Sequence, residues 1–293
     1  MSKPYLLTFC TEGPPHDMGY DLTPCIAQVR ERLSNYFEDV FVFTPRTLKE
    51  LKGSEDFCNS WSEPLDSNPN ANHVGYFDFK GFLLEHVMSQ VPEGSIIVYH
   101  DGNFKRNPQY WHTDWPNLES IIEQILAMNQ TDLMFQFEQA DVKVKFHVKE
   151  HVLERMFPDK VERDIIADSC LIGAARIIVR NTGFAREFIR EYRDLCLQKD
   201  LVAKSPIGNA RPEFKWSCGD QDVLNALVYR YILDGKLPST FPGFSFLYRV
   251  IRFENSPFTW KFDEWEPWHD RPHMTGIQRV LNHDLINYVG GKA

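Results

Sequence analysis

The sequence predicts an α/β protein, a mostly parallel central sheet flanked by helices. Three observations carry this. Short β-branched and aromatic runs alternate with segments of helical period. The front of the chain reads strand, helix, strand, which favours a right-handed βαβ unit. The run Ile96-Ile97-Val98-Tyr99 is apolar on both faces, as a central strand covered by helices on either side must be.

The elements follow in order. Pro4 to Cys10 is the first strand, and the Gly/Pro-rich stretch 11–19 after it is a loop. Thr23 as N-cap and Pro24 at the first helical position predict a helix to Phe37. Asp39 to Phe43 is a second strand ending at Thr44-Pro45-Arg46. Residues 52–75, rich in Ser, Asn, Asp, Pro and Gly, read as a long loop or lid with room for one short helix. A helix from Phe79 to Gln90 feeds the buried strand, which Pro92-Glu93-Gly94 opens. Beyond it, Ser120–Met128 and Lys149–Met156 read as helices, and Val142–Val148 alternates as a strand does. Leu171–Arg180 is a strand, Thr182–Gln198 an amphipathic helix, 206–215 a loop and Asp220–Leu233 a helix. The tail from Leu237 is aromatic, broken by Pro and irregular. No repeat and no linker interrupts the chain, so residues 1–293 are expected to form one integrated domain, with 1–105 its ligand-binding half.

A chain of 293 residues, 43% hydrophobic and 14% aromatic, can bury a substantial core. Its formal net charge of −9 excludes a non-specific nucleic-acid binder, which needs a basic surface to displace counterions. The start "MSKPYLLTFCTEGPP" does not read as a secretory signal, and no run approaches the ~20 apolar residues needed to span a bilayer. The six cysteines are scattered without a C-x-x-C pair, the pattern of reduced thiols in a soluble cytoplasmic protein.

Polar groups with chemical potential gather at element ends. The buried strand runs into His100-Asp101-Gly102-Asn103, at the sheet edge where open α/β proteins hold ligands; Asp-Gly-Asn is also an ordinary turn sequence. Lys80 stands at a helix start, where a cation opposes the macrodipole. An anionic partner would offset that, and without one Lys80 is a solvated surface side chain. Asp220 and Asp222 open a helix, where carboxylates cap free N–H groups or serve as a general base. No G-x-G-x-x-G, Walker A, G-x-S-x-G or H-E-x-x-H sequence is present.

Four segments in order carry a resemblance. "GYFDFKGFLLEHVMSQVPEGSIIVYHDGNF" (75–104), "KFHVKEHVLERM" (145–156), "CLIGAARIIVRNTGFAREFIREYRDLC" (170–196) and "FKWSCGDQDVLNALVYRYI" (214–232) cover roughly half of the chain. Together they resemble nucleotide-sugar glycosyltransferases of the GT-A fold. More narrowly, they are similar to a bacterial, algal and large-DNA-virus group that builds polysaccharides and capsid glycans. Its Trp-Lys-Pro-like helix start reads Phe79-Lys80-Gly81 here, and its Asp-x-Asp-like strand end reads Asp101-Gly102-Asn103. Its His-Arg-x-Asp-Gln-Ser signature survives as Asp220-Gln221-Asp222, without the His and Arg.

The resemblance implies a metal-dependent transferase moving a sugar from a nucleoside-diphosphate donor, with UDP as carrier, to a glycan acceptor. The donor would be bound by Thr8, Phe9 and Thr11 at the first strand's end, by the loop through Gly19, by Lys80, and by His100, Asp101 and Gly102. Mn²⁺ or Mg²⁺ would be held by Asp101, Asn103 and His269, and would neutralise charge on the leaving diphosphate. Asp220, with Asp222 behind it, would take the acceptor proton in an inverting attack. The half from 106 to 293 would bind the acceptor, aided by the Trp-rich tail 260–274, whose rings suit sugar faces. Two rivals stand beside this: a metal-dependent hydrolase using Asp101, His100 and the tail histidines, and a carbohydrate-binding protein with a degenerate transferase fold.

Overall fold

A computed structural model describes residues 3–9, 37–59, 77–100, 132–137, 142–203, 207–217, 219–238, 240–242, 278–280 and 283–291. Their centre is a five-stranded sheet in the order β2-β1-β3-β5-β4. The strands are β1 (Tyr5–Phe9), β2 (Val40–Phe43), β3 (Ile96–His100), β4 (Leu133–Phe137) and β5 (Ile172–Arg180). β1 pairs in parallel with β2 (Leu6 opposite Val40) and with β3 (Leu7 opposite Tyr99). β5 runs antiparallel to both β3 and β4. Four strands of this sheet therefore share one direction and β5 alone is reversed, a mostly parallel α/β arrangement.

The chain goes from β1 outward to β2 and then returns to β3 on the other side of β1. That reversal of strand order lies at the carboxyl ends of β1 and β3, and doubly wound sheets in general take their ligands at such a point. Because β5 is reversed, its beginning lies at that same edge: His100, the last residue of β3, is opposite Arg176.

Helices α1 (Pro45–Lys49) and α2 (Glu55–Asn59) follow β2, and α3 (Phe79–Met88) precedes β3. After β4 come α4 (Glu150–Met156) and α5 (Lys160–Ala167), then α6 (Gly183–Cys196) and α7 (Lys199–Val202) behind β5, and α8 (Asp220–Leu233). One face of the sheet (Leu7, Phe9, Ile97, Tyr99, Phe135, Ile177, Val179) joins α3, α4, α6 and α8 in the main core. The other face is buried too, through Leu6, Thr8, Val98 and Ile178, which is why β3 is apolar throughout. Helices α3 and α6 touch backbone to backbone at Gly81, where a Cβ would lie 2.8 Å from the N and Cα of Arg193.

Several expectations are corrected. Val142–Val148 is no strand: one bridge, Lys143 to Cys170, leads into a 3₁₀ turn over Val144–Phe146. Val144 and Val148 share a buried helical face, with the Val148 N–H bonded to the Val144 carbonyl, so a period of four prevails over the period of two. Thr44-Pro45 ends β2 by starting α1, with a reciprocal Thr44/Thr47 capping box. β4 and α5 are additional to the expected elements; Asp159 caps α5 by accepting from the N–H groups of Val161 and Glu162. The tail is not irregular throughout, since β6 (Thr240–Pro242) pairs with β7 (Gln278–Val280) and α9 spans His283–Gly290. The helices expected over 23–37 and 120–128 lie outside the described residues, apart from Phe37, which is buried in no helix.

Candidate functional site

The start of α3 lies under the end of β1, where the Phe79 ring stacks on Phe9 with centroids 3.9 Å apart. The turn into α3 passes through Phe77 at φ 61°, a left-handed backbone that a bulky residue seldom adopts. Lys80 follows, its side chain only 3% exposed. Its ammonium lies 2.9 Å from Oδ2 of Asp220 and donates to the Ala174 carbonyl of β5 at 3.1 Å. The Phe77 ring stands 4.9 Å from the same nitrogen. The solvated reading of Lys80 is overturned: a buried ammonium needs compensation, and Asp220 supplies an anion.

Asp220 opens α8 after Gly219, whose φ of 69° makes the turn that glycine permits. Its Oδ2 also accepts from the Tyr192 hydroxyl of α6 at 3.0 Å. Burial, then the Asp220 charge, pushes the Tyr192 phenol well above its ordinary value, so it remains a donor. Burial, then Asp220 and Asp78, does the same to the Cys196 thiol one turn along, which stays neutral. Lys80, Asp220, Tyr192 and Cys196 thus form a buried polar cluster near the start of β5, at the carboxyl edge of β3.

Asp222 belongs to a second buried pair. Its Oδ1 accepts from Ser217 at 2.9 Å, and its Oδ2 accepts from the Lys149 backbone N–H at 3.0 Å. The Lys149 ammonium stands 3.3 Å from Oδ2 and also donates to the carbonyls of Leu201 (2.8 Å) and Ala203. Burial raises the Asp222 carboxyl and lowers the Lys149 amine, each opposed by the other's charge. This pair ties the starts of α4 and α8 to the end of α7. Between the two carboxylates, the Gln221 amide donates to the Ile172 carbonyl at 2.8 Å. Asn225 accepts from Ile172 N–H and donates to its carbonyl, both at 2.8 Å, so α8 holds the first residue of β5 by side-chain amides.

The structure therefore brings Lys80 and Asp220 together and sets Asp222 beside them, engaged on both oxygens. Thr8 and Phe9 occupy the end of β1, and the Thr8 hydroxyl is buried with no hydrogen-bond partner among the described residues. His100 closes β3. Thr11, Gly19, Asp101, Gly102, Asn103 and His269 lie outside the described residues, as do the tail tryptophans. Among the described residues no three His, Cys, Asp or Glu side chains converge to hold a metal ion, and no helix is long and apolar enough to cross a membrane. Sequence reasoning missed Tyr192, Lys149 and Phe77. Tyr192 sits on the buried face of an amphipathic helix and reads as core, although a buried phenol signals a polar partner.

No family model matches the chain, and no curated protein matches it. Among solved structures it is similar to the apo form of mouse xyloside xylosyltransferase 1, at 11% identity. The likeness covers 80% of this chain and 83% of that one, with a TM-score of 0.36. An overlap this loose assigns no residue and no activity, and the narrower polysaccharide and capsid-glycan group gains no support from it.

Proposed function

We propose that this chain is a glycosyltransferase that moves a sugar from a nucleoside diphosphate to a glycan. The observation that carries the reading is the buried Lys80–Asp220 pair at the carboxyl edge of the sheet. It unites two motif segments distant in sequence, at the edge where the fold takes ligands. The Thr8 hydroxyl at the end of β1, without a partner among the described residues, supports a bound group there. A buried hydroxyl without a partner costs about 1–3 kcal/mol, which a polar ligand atom would offset.

In this reading the donor diphosphate lies over the ends of β1 and β3, and Lys80 is shared between Asp220 and a phosphate oxygen. Drawing the ammonium toward the phosphate leaves the Asp220 carboxylate more basic, so donor binding would ready the base for the acceptor hydroxyl. Tyr192 keeps the carboxylate oriented throughout by its hydrogen bond. Asp101, Asn103 and His269 are the residues proposed to hold a divalent cation, which when bound offsets charge on the leaving diphosphate. UDP as carrier and inversion as stereochemical course belong to the same proposal, by resemblance of the motifs.

The test is thermal stabilisation of the chain by UDP, GDP and CMP, each with and without Mn²⁺, followed by turnover of the matching sugar conjugates. Metal-dependent stabilisation by one nucleotide, with release of its sugar, supports the transferase. Asp101→Ala should then abolish metal-stimulated turnover. Indifference to every nucleotide and every sugar conjugate removes the reading.

A further inference from the structure

Trp216 is a large aromatic side chain that the fold leaves in solvent, 54% exposed. Single exposed apolar residues are common and by themselves mean little. Trp216 differs in how firmly it is mounted. The Lys215 N–H donates to the Phe146 carbonyl at 2.8 Å, and the His147 Nδ1–H donates to the Trp216 carbonyl at 3.3 Å. Ser217 donates to Asp222 and accepts from the Gly219 N–H. The indole meets the His147 ring edge-on, with centroids 4.7 Å apart at 70°. Three consecutive residues are thus tied down beneath one exposed ring, and a rigid aromatic loses little entropy when it binds.

The surroundings select the partner. Beside Trp216 in the chain, the Lys215 ammonium covers the Phe146 ring at 4.7 Å. Lys145 bridges Asp168 at 2.8 Å and Glu213 at 3.8 Å. Among the described residues no wide apolar face surrounds the ring: the other exposed large apolar side chains are Val161, Leu197 and Ile207 alone. A protein partner needs about 800 Å² per side. One exposed ring with charges of both signs close to it in the chain, Glu213 and Lys215, instead matches a pyranose, with a C–H face to stack and hydroxyls at its rim to hydrogen-bond. Trp216 is four residues before Asp220, which bounds their Cα separation at about 14 Å.

We propose that Trp216 is a stacking platform for a neutral oligosaccharide, within about 14 Å of Asp220 by chain length. Naming that oligosaccharide the acceptor rests on the transferase reading; its binding at Trp216 does not.

The experiment titrates the full chain with cellopentaose, xylopentaose, chitopentaose and maltopentaose without donor, by calorimetry and saturation-transfer NMR. UDP is titrated alongside. At least one oligosaccharide should bind the parent protein at millimolar concentration. Trp216→Ala should weaken it roughly tenfold or more, while Trp216→Phe keeps most of the affinity and both variants keep the parent circular dichroism. Binding of none of the four, unchanged affinity in Trp216→Ala, or a loss confined to UDP overturns the platform. Oligosaccharide binding that depends on Trp216 in a protein that turns over no nucleotide sugar keeps the platform and removes the transferase. Turnover with glycan affinity indifferent to Trp216 does the reverse.

Discussion

Lys80 and Asp220, from the first turns of two different helices, form an ion pair at 2.9 Å with side-chain exposures of 3% and 1%. Each of these helix starts faces the other's charge, and the β5 carbonyl of Ala174 lies within reach of the same ammonium. The pair is both a stability element and the centre of the proposed site, and the two roles separate by mutation.

Replacing Lys80 by Met removes a cation from a buried carboxylate. Removing one partner of a buried pair costs about 3–5 kcal/mol, whereas removing both costs less. Urea denaturation should show that loss in Lys80→Met and partial recovery in Lys80→Met/Asp220→Asn. A single variant as stable as the parent contradicts the buried pairing. Calorimetry on the same variant should show weakened donor binding.

Asp220→Asn keeps the size and much of the capping ability while removing basicity. Transfer to the acceptor should fall by ~10²–10⁴-fold, with donor binding retained. A fall of less than about tenfold, short of what a general base supplies, assigns Asp220 to structure alone.

Lys149→Met tests the second pair through pH. In the parent, the folded Asp222 carboxyl is raised above its ordinary 3.8, so the folded state binds that proton more tightly and stability declines as pH rises through the folded value. Lys149 is lowered below 10.5, so stability rises with pH between its folded value and 10.5. Without Lys149 the Asp222 value climbs further. The variant should lose about 3–5 kcal/mol at neutral pH and recover part of it on mild acidification, as Asp222 protonates. Denaturation at several pH values decides, and a deficit independent of pH counts against the pair.

Asn225→Ala strips the amide that holds Ile172. The buried Ile172 N–H loses its side-chain acceptor, at a cost of about 1–3 kcal/mol. Amide hydrogen exchange at Ile172 should accelerate more than at Ile178 in the middle of β5. Equal protection at both would show that α8 does not secure the start of the strand.

Much of this was legible in the sequence where one period dominates. β1, β2, β3, β5, α3, α6 and α8 follow from runs or stripes long enough to specify a face. Val142–Val148 was not, because its apolar residues satisfy periods of two and four at once and only burial of Val144 with Val148 decides. The direction of β5 has no local signature, since strand polarity depends on where its ends are anchored, here on Gln221 and Asn225. Lys80 and Asp220 were each visible as charges at helix starts. That each is the other's partner depends on tertiary packing, which no spacing encodes. Lys149 was visible only within the 145–156 motif segment at a helix start, and its burial comes from α7 closing over it.

The contact at Gly81 couples positions on two different helices. Any residue but glycine at position 81 would bring a Cβ against the backbone of α6. Proline is acceptable to the backbone in the first turn of a helix, so the obstacle is the 2.8 Å approach of the Arg193 backbone. A proline could enter here only if α6 moved outward, carrying Tyr192, the neighbour of Arg193, off the Asp220 carboxylate. Positions 81 and 192 are thus coupled: the helix spacing that admits only glycine also delivers the phenol to the carboxylate.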